Sequence, residues 1–197
     1  MLRNAYLLTG NSKSERALFC ENVLNNIGFH VKMITYIPHK DKVISNKISM
    51  QYIYNLIKNS EDDTYHYVFE DDINILTPIK LEEIIEYEKL TDTFFYLGLC
   101  EYDNTNSNLT SHKIGGNHVY SISGGIRGLH AIGLSKMGAE LLLYFSENVD
   151  DRYMDVILEK FSLIYPTICV RYDLESYIHG HKGVIFQDRK RFPSSIG

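Results

Sequence analysis

Hydrophobic and polar residues along the first third of the chain predict three short strands separated by two helices. The apolar runs at 5–9, 29–34 and 65–69 are short and end in turn-forming or charged residues, as buried strands do. Between them, apolar residues recur at helical spacing over about 12–28 and 45–59. The order strand–helix–strand–helix–strand predicts a mostly parallel sheet with helices packed on it.

Capping residues predict where several helices begin and end. Ser12, with an acid three positions later, has the pattern of a capping box, and Gly28 supplies a stop for the same helix. Ser135 is expected to cap a later helix that runs to about 145. Asp150 or Asp151 is expected to cap the helix after it, since aspartate is favoured at that position.

The remaining segments predict one further helix at 81–90, strands at 94–99 and 166–170, and a polar loop. The segment 120–134 predicts a strand that enters and leaves a tight bend. The segment 103–117 is rich in Asn, Ser, Thr and Gly, and we expect it to form a flexible loop near the functional site. No shift in composition divides the chain, so we expect a single domain over 1–197.

Composition narrows the function classes. The 197 residues carry a net charge of −5, which argues against a broad nucleic-acid-binding surface. No run of roughly 18 apolar residues is present to span a bilayer, and the N-terminus lacks the apolar core of a signal peptide. Cys20, Cys100 and Cys169 are far apart and have no metal-ligand spacing, which predicts three buried thiols. We therefore expect a cytoplasmic protein without a membrane span.

The most informative stretch is 68–74, where an apolar strand leads into Glu70, Asp71 and Asp72. Clustered carboxylates repel one another and are costly to bury unless a cation lies among them. Oxygen ligands at a strand end suit a hard cation such as Mg²⁺ or Mn²⁺. Because strand side chains alternate, Glu70 and Asp72 are expected to face one side and Asp71 the other. The alternative is a solvated acidic turn.

A second acidic group lies at Asp150, Asp151 and Asp155. One aspartate is enough to cap a helix, so the additional carboxylates leave one free to act as a general base. From the residues alone, a cap and a cap plus a base are equally well supported.

Further candidates lie in the glycine-rich segment and in the tail. The glycines at 124–128 either let the backbone approach a ligand or form a bend, and they do not match a dinucleotide-binding fingerprint. His179 and His181 could complete a divalent-cation site, or could lie in a surface loop. Lys182 and the basic run 189–191 could fold over a diphosphate, or form a solvated end.

Several of these segments resemble a known family in order along the chain. Glu70-Asp71-Asp72 resembles the metal-binding DXD element of GT-A glycosyltransferases, and the resemblance is strongest to glycosyltransferase family 25, the lipopolysaccharide and collagen galactosyltransferase group. The segments similar to that family are 7–12 with Arg16, 67–72, 129–139, and 185–188 with 194–196. The segment 47–52 departs from the family's Gly-and-His pattern. In size and style the chain also resembles compact glycosyltransferases of large algal viruses.

The resemblance implies an α/β GT-A fold with a mostly parallel central sheet flanked by helices. It implies a nucleotide-binding part at about 1–100 and an acceptor and catalytic part at about 101–197. It also implies a UDP-sugar donor, UDP-glucose or UDP-galactose, a glycan or other hydroxyl acceptor, and Mn²⁺ or Mg²⁺ as the cofactor. The implied donor-binding residues are Thr9, Gly10, Asn11, Arg16, Asp71 and Gly125, and the implied metal ligands are Glu70, Asp72 and His181.

The stretch 150–153 resembles the E-D-V-Y segment of inverting GT-A enzymes, in which the second acid is the base. By this resemblance Asp151 is the catalytic base, and Asp155 is the reserve candidate. The alternatives are a retaining transferase without such a base, a pseudoenzyme that binds a sugar nucleotide without turnover, and a metal-dependent nucleotidyltransferase.

Overall fold

The computed structural model describes residues 2–101, 107–122, 126–165, 167–171 and 181–193. The strands are β1 Asn4–Thr9, β2 His30–Thr35, β3 His66–Glu70, β4 Ile73–Ile75, β5 Phe94–Glu101, β6 Ser107–Ile114, β7 Asn117–Ile122, β8 Ile126–Leu134, β9 Thr167–Arg171, β10 His181–Gly183 and β11 Ile185–Gln187. The helices are α1 Glu15–Ile27, α2 Lys42–Lys58, α3 Leu81–Glu88, α4 Lys136–Asn148 and α5 Met154–Ile164.

Within the described residues the fold is α/β, with a large mixed sheet flanked by helices. The strand order is β2-β1-β3-β8-β5-β9-β7-β6, and β10 pairs with β5 to make nine strands. β1 lies between β2 and β3 and is parallel to both, which confirms the strand–helix pattern predicted for the first third of the chain. Beyond β3 the pairing is mainly antiparallel, because β8 runs against both β3 and β5. β4 and β11 form a separate antiparallel pair.

The sheet is buried on both faces. α1 and α3 pack on one face with Tyr67 and Phe69 of β3, and α2, α4 and α5 pack on the other with Val68. Double burial explains why β3 reads as a continuous apolar run, since such strands lack a solvent-facing side. Each large side chain buried in this way is worth about 1.5–3 kcal/mol. Polar side chains near β3 therefore lie at the end of the strand, where the apolar run stops.

The helix caps agree with the sequence at two positions and differ at two. Gly28 ends α1 with a left-handed φ of 114°, and Ser135 caps α4 by accepting a hydrogen bond from the Gly138 amide. The cap of α1, however, is Ser14, whose hydroxyl accepts from the Ala17 amide at 3.1 Å, so the prediction of Ser12 is wrong. The backbone turn that closes with the Ser14 amide on the Asn11 carbonyl delays the helix by two residues.

The predicted cap of α5 is also corrected. The helix begins at Met154 with Tyr153 at its N-cap, and Tyr153 makes no side-chain capping bond. Asp151 accepts the Tyr153 amide at 3.0 Å and so orders the turn that precedes the helix. Neither Asp150 nor Asp151 caps the helix, because two residues separate Asp151 from its first turn.

The polar segment predicted as a loop is, from 107 onward, a β-hairpin of β6 and β7 joined by Gly115 and Gly116. Both glycines have positive φ, 55° and 82°, as a tight two-residue hairpin turn requires. β6 is an edge strand that pairs with β7, and among its residues Ile114 packs against the core. The prediction weighed side-chain polarity and missed the turn signal.

The cysteine prediction is largely confirmed. Cys20 and Cys169 are buried, and Cys100 is half-buried. The helices within the described residues are all too short or too polar to cross a membrane.

Candidate functional site

The candidate site lies where β1 and β3 end side by side. Because the two strands are parallel and Leu8 is in register with Glu70, their carboxyl ends bring Thr9 next to Asp71. The Thr9 hydroxyl donates to Asp71 Oδ2 at 2.5 Å. In open α/β sheets, ligands bind beyond such strand ends, in the crevice that the departing loops leave.

Asp71 is held from a second direction by the first turn of α1. Arg16 Nε lies 2.7 Å from Asp71 Oδ1 and also donates to the Asp71 backbone carbonyl at 2.8 Å. Both carboxylate oxygens of Asp71 are thus engaged, and its side chain is buried. Thr9, Arg16 and Asp71, predicted as donor-binding residues, do come together, but their contacts tie α1, β1 and β3 to one another.

Glu70 and Asp72 face a different partner, the side-chain amide of Gln187. The Gln187 Nε2 group donates to Glu70 Oε2 at 3.0 Å and lies 3.4 Å from each oxygen of Asp72. Asp72 also lies 3.5 Å from Arg16 Nη2. Glu70 and Asp72 thus share Gln187, Asp71 accepts from Thr9, and Arg16 lies close to both Asp71 and Asp72.

The C-terminal segment brings Gln187 to the acids. β11 pairs with β4 so that Gln187 stands opposite Ile73, directly after the acidic triplet. The Asp188 amide donates to the Asp72 carbonyl at 2.7 Å and fixes the end of this pairing. Gln187 was not among the predicted site residues. The available signal was its place in the tail segment 185–188, one of the segments that carry the family resemblance.

Glu70 and Asp72 both have raised pKa values. Burial and the neighbouring charge of Asp72 raise the pKa of Glu70 to about 8. Burial also raises the pKa of Asp72, against the charges of Arg16 and Arg189, which lower it. Two carboxylates whose charged forms are disfavoured in this way are stabilised by any cation that binds between them.

Arg189 is the basic tail residue that bears on the site. Its Nη2 lies 3.2 Å from Gln187 Oε1, and its positive charge lowers the pKa of both Glu70 and Asp72. Its own side chain is exposed. Arg191, by contrast, lies 4.0 Å above the ring of Phe19 and helps to hold the tail on α1.

The two predicted catalytic acids occupy different surroundings. Asp151 Oδ2 is 3.0 Å from Lys160 Nζ, and the Tyr153 amide and Lys160 lower the pKa of Asp151. Among the described residues no hydrogen bond or ion pair joins Asp151 to Glu70 or Asp72. The charge of Asp155 is the last-ranked contribution to the raised pKa of Glu70, after burial, Asp72 and Asp71.

The other predicted residues are placed unevenly. Gly10 and Asn11 are exposed in the turn between β1 and α1, beside the acids. His181 lies in β10, where its backbone pairs with Cys100 of β5. The His181 side chain lies outside what the structure describes, as do Gly125 and His179. Among the described residues no group of three or more His, Cys, Asp or Glu side chains is arranged to hold a metal ion.

Comparison with known proteins adds similarity of low degree. No protein-family model matches the chain, and no curated protein matches its sequence. Among solved structures, A197 from STIV matches with a TM-score of 0.48 and 10% identity, over 89% of this chain and 87% of that one. HddC from Yersinia pseudotuberculosis matches with a TM-score of 0.35 and 13% identity, over 91% of this chain and 76% of that one. Similarity at this level assigns no activity.

Proposed function

We propose that the chain is a metal-dependent glycosyltransferase that moves a sugar from a UDP-sugar to a hydroxyl acceptor. The observation that carries the proposal is the convergence of Glu70 and Asp72 on one buried point at the end of β3. The resemblance of Glu70-Asp71-Asp72 to the DXD element, and of several segments to glycosyltransferase family 25, supports a sugar nucleotide as the ligand. On the same resemblance we propose a GT-A type of fold and a UDP-glucose or UDP-galactose donor.

The residues present fit Mg²⁺ or Mn²⁺. Their donors are hard carboxylate oxygens, which these ions prefer over nitrogen or sulfur. The raised pKa values of Glu70 and Asp72 mean that their charged forms lack sufficient compensation in the protein alone. Two carboxylates are also enough, because Mg²⁺ is commonly bound by one or two of them together with substrate phosphates and water.

Each part of the site then has a task. Glu70 and Asp72 would hold the cation, which would supply positive charge to offset the charge of the departing nucleotide. We assign contact with the nucleotide to the exposed turn at Gly10 and Asn11. We assign contact with the diphosphate to Arg189, which is exposed and donates to Gln187.

The catalytic base of an inverting reaction is proposed from the second acidic group. Asp151 is held by Lys160 and the Tyr153 amide, and these contacts lower its pKa and make it a weaker base. Because Asp151 is committed to these partners, we propose Asp155, the reserve candidate, as the group that accepts a proton from the acceptor hydroxyl.

The test is incubation with a panel of UDP-sugars, with and without Mn²⁺, following both the thermal midpoint and the release of UDP. A transferase is expected to release UDP slowly by donor hydrolysis, only with the cation, and only with Asp72 intact. Thermal stabilisation without any UDP release identifies a binder instead. Release of pyrophosphate from a nucleoside triphosphate and a sugar phosphate identifies a nucleotidyltransferase.

A further inference from the structure

The side-chain amide of Gln187 lies between Glu70 and Asp72, where the cation of the proposed function has to bind. We propose that Gln187 is the third protein ligand of this cation, and that it binds through its side-chain carbonyl oxygen after the amide turns over. The proposal rests on the proposed function, since it concerns the same cation, but it assigns a residue that the acidic motif does not contain.

The distances suit a coordination shell. Gln187 Nε2 is 3.0 Å from Glu70 Oε2 and 3.4 Å from both Asp72 oxygens. In an octahedral site with metal–oxygen distances of about 2.1 Å, neighbouring ligand atoms lie about 3 Å apart. Gln187 therefore already stands at ligand-to-ligand separation from each of the two carboxylates.

The amide has a reason to turn when a cation binds. Without a cation, the two carboxylates are acceptors and select the NH₂ end of the Gln187 amide as their donor. A cation between the carboxylates repels that end and attracts the carbonyl oxygen. Rotation about the last side-chain bond exchanges the two ends while leaving the rest of the side chain in place.

The backbone pairing of β11 with β4 fixes the position of Gln187. Gln187 is 8% exposed, and its strand is paired with β4, the strand that directly follows the acids. The bond from the Asp188 amide to the Asp72 carbonyl couples the next residue of the tail to the same acid. A ligand carried on a paired strand is held more accurately than one carried on a free loop.

Turning the amide also changes the other side of Gln187. Its Oε1 now accepts from Arg189 Nη2 at 3.2 Å, so rotation withdraws that acceptor from the guanidinium. The exposed guanidinium is then available for the phosphates of the donor. Binding of the cation and of the diphosphate are thereby coupled through one side chain.

The experiment measures Mn²⁺ binding directly, by the electron paramagnetic resonance signal of the free ion, without nucleotide or turnover. Gln187→Ala is expected to weaken Mn²⁺ affinity by about tenfold or more, as the loss of a ligand contact does. Gln187→Glu supplies a carboxylate oxygen at the same point and is expected to bind Mn²⁺ at least as tightly as the wild type. Gln51→Ala is the matched control, because Gln51 bonds to Ser146.

The outcomes separate this proposal from the proposed function. Wild-type or tighter Mn²⁺ binding by Gln187→Ala, abolished by Asp72→Asn, overturns the role of Gln187 and leaves the metal site standing. Wild-type Mn²⁺ binding that is absent or insensitive to Asp72→Asn overturns both. Should Gln187→Ala fail to fold, judged by circular dichroism, Gln187→Glu decides alone: weaker binding than the wild type overturns the proposal.

Discussion

The chain contains two groups of three acidic residues, at 70–72 and at 150–155, and the structure places them in opposite environments. Asp71 and Asp72 are almost fully buried at a strand end, whereas Asp150 is exposed and Asp151 only half-buried. The pKa of Glu70 is raised by burial and by Asp72, and the pKa of Asp151 is lowered by the Tyr153 amide and Lys160. A run of carboxylates in a sequence therefore does not define an electrostatic state.

The difference follows from what surrounds each group. Like charges at the end of a buried strand interact through a medium of low effective dielectric, so each disfavours ionisation of the other. Asp151 and Lys160 form a pair that is open to water, and such pairs contribute little to stability. The first group is suited to bind a cation, and the second to hold a turn and to offer one acid for proton transfer.

The largest difference between the two acidic groups is expected in the turnover of their variants. Asp72→Asn removes a proposed ligand of the cation and should lower UDP release from the donor by at least about a thousandfold, since such an ion supplies several kcal/mol of charge stabilisation. Asp150→Asn, the same substitution at an exposed acid of the second group, should leave turnover within about twofold. Equal losses in the two variants contradict the assignment of the metal site to the strand end. Both are measured by Mn²⁺-dependent UDP release.

Within the second group, Asp155→Asn should lower transfer by about a hundredfold or more, the size expected for a general base. Asp151→Asn should have a much smaller effect, because its carboxylate is already committed to Lys160 and to a backbone amide. Donor affinity should remain unchanged in both variants, which isothermal titration with UDP and Mn²⁺ checks. A large loss for Asp151→Asn with normal transfer by Asp155→Asn returns the base to Asp151.

The two groups should also differ in folding stability. Asp71→Ala leaves Arg16 and the Thr9 hydroxyl without their partner and is expected to cost about 2–4 kcal/mol, slightly less than a fully buried pair because Arg16 is partly exposed. Asp151→Ala is expected to cost less than about 1 kcal/mol. Urea denaturation followed by circular dichroism gives both values. A cost below 1 kcal/mol for Asp71→Ala contradicts its role in joining α1 to the sheet.

Local structure could be predicted from the sequence, whereas contacts between distant segments could not. The apolar run before Glu70 predicts a doubly buried strand by itself, but the strand ends at Glu70, so strand alternation does not decide how Asp71 and Asp72 are oriented. The contact of Gln187 with these acids depends on the pairing of β11 with β4, which joins segments over a hundred residues apart, so no local pattern could supply it. The glycine pair at Gly115 and Gly116 is a local signal for a hairpin turn, but the polar residues around it favour a loop instead.

The opposite pKa shifts predict opposite responses to pH. The pKa of Glu70 is raised to about 8, so between about pH 4.5 and 8 the folded protein keeps a proton that the unfolded chain has released, and this contribution to stability falls as pH rises. The pKa of Asp151 is lowered, so its contribution is present above the unfolded value and is lost in acid. Thermal midpoints of Glu70→Gln and Asp151→Asn, each relative to the wild type, should therefore diverge in different pH ranges. As pH rises from about 5 to 8, the thermal midpoint of Glu70→Gln should rise relative to that of the wild type. Mn²⁺ should reduce this difference, because the cation compensates the charges of the wild-type carboxylates. A gain that is constant across that range contradicts the raised pKa of Glu70, and a gain that Mn²⁺ leaves unchanged contradicts cation binding at this pair.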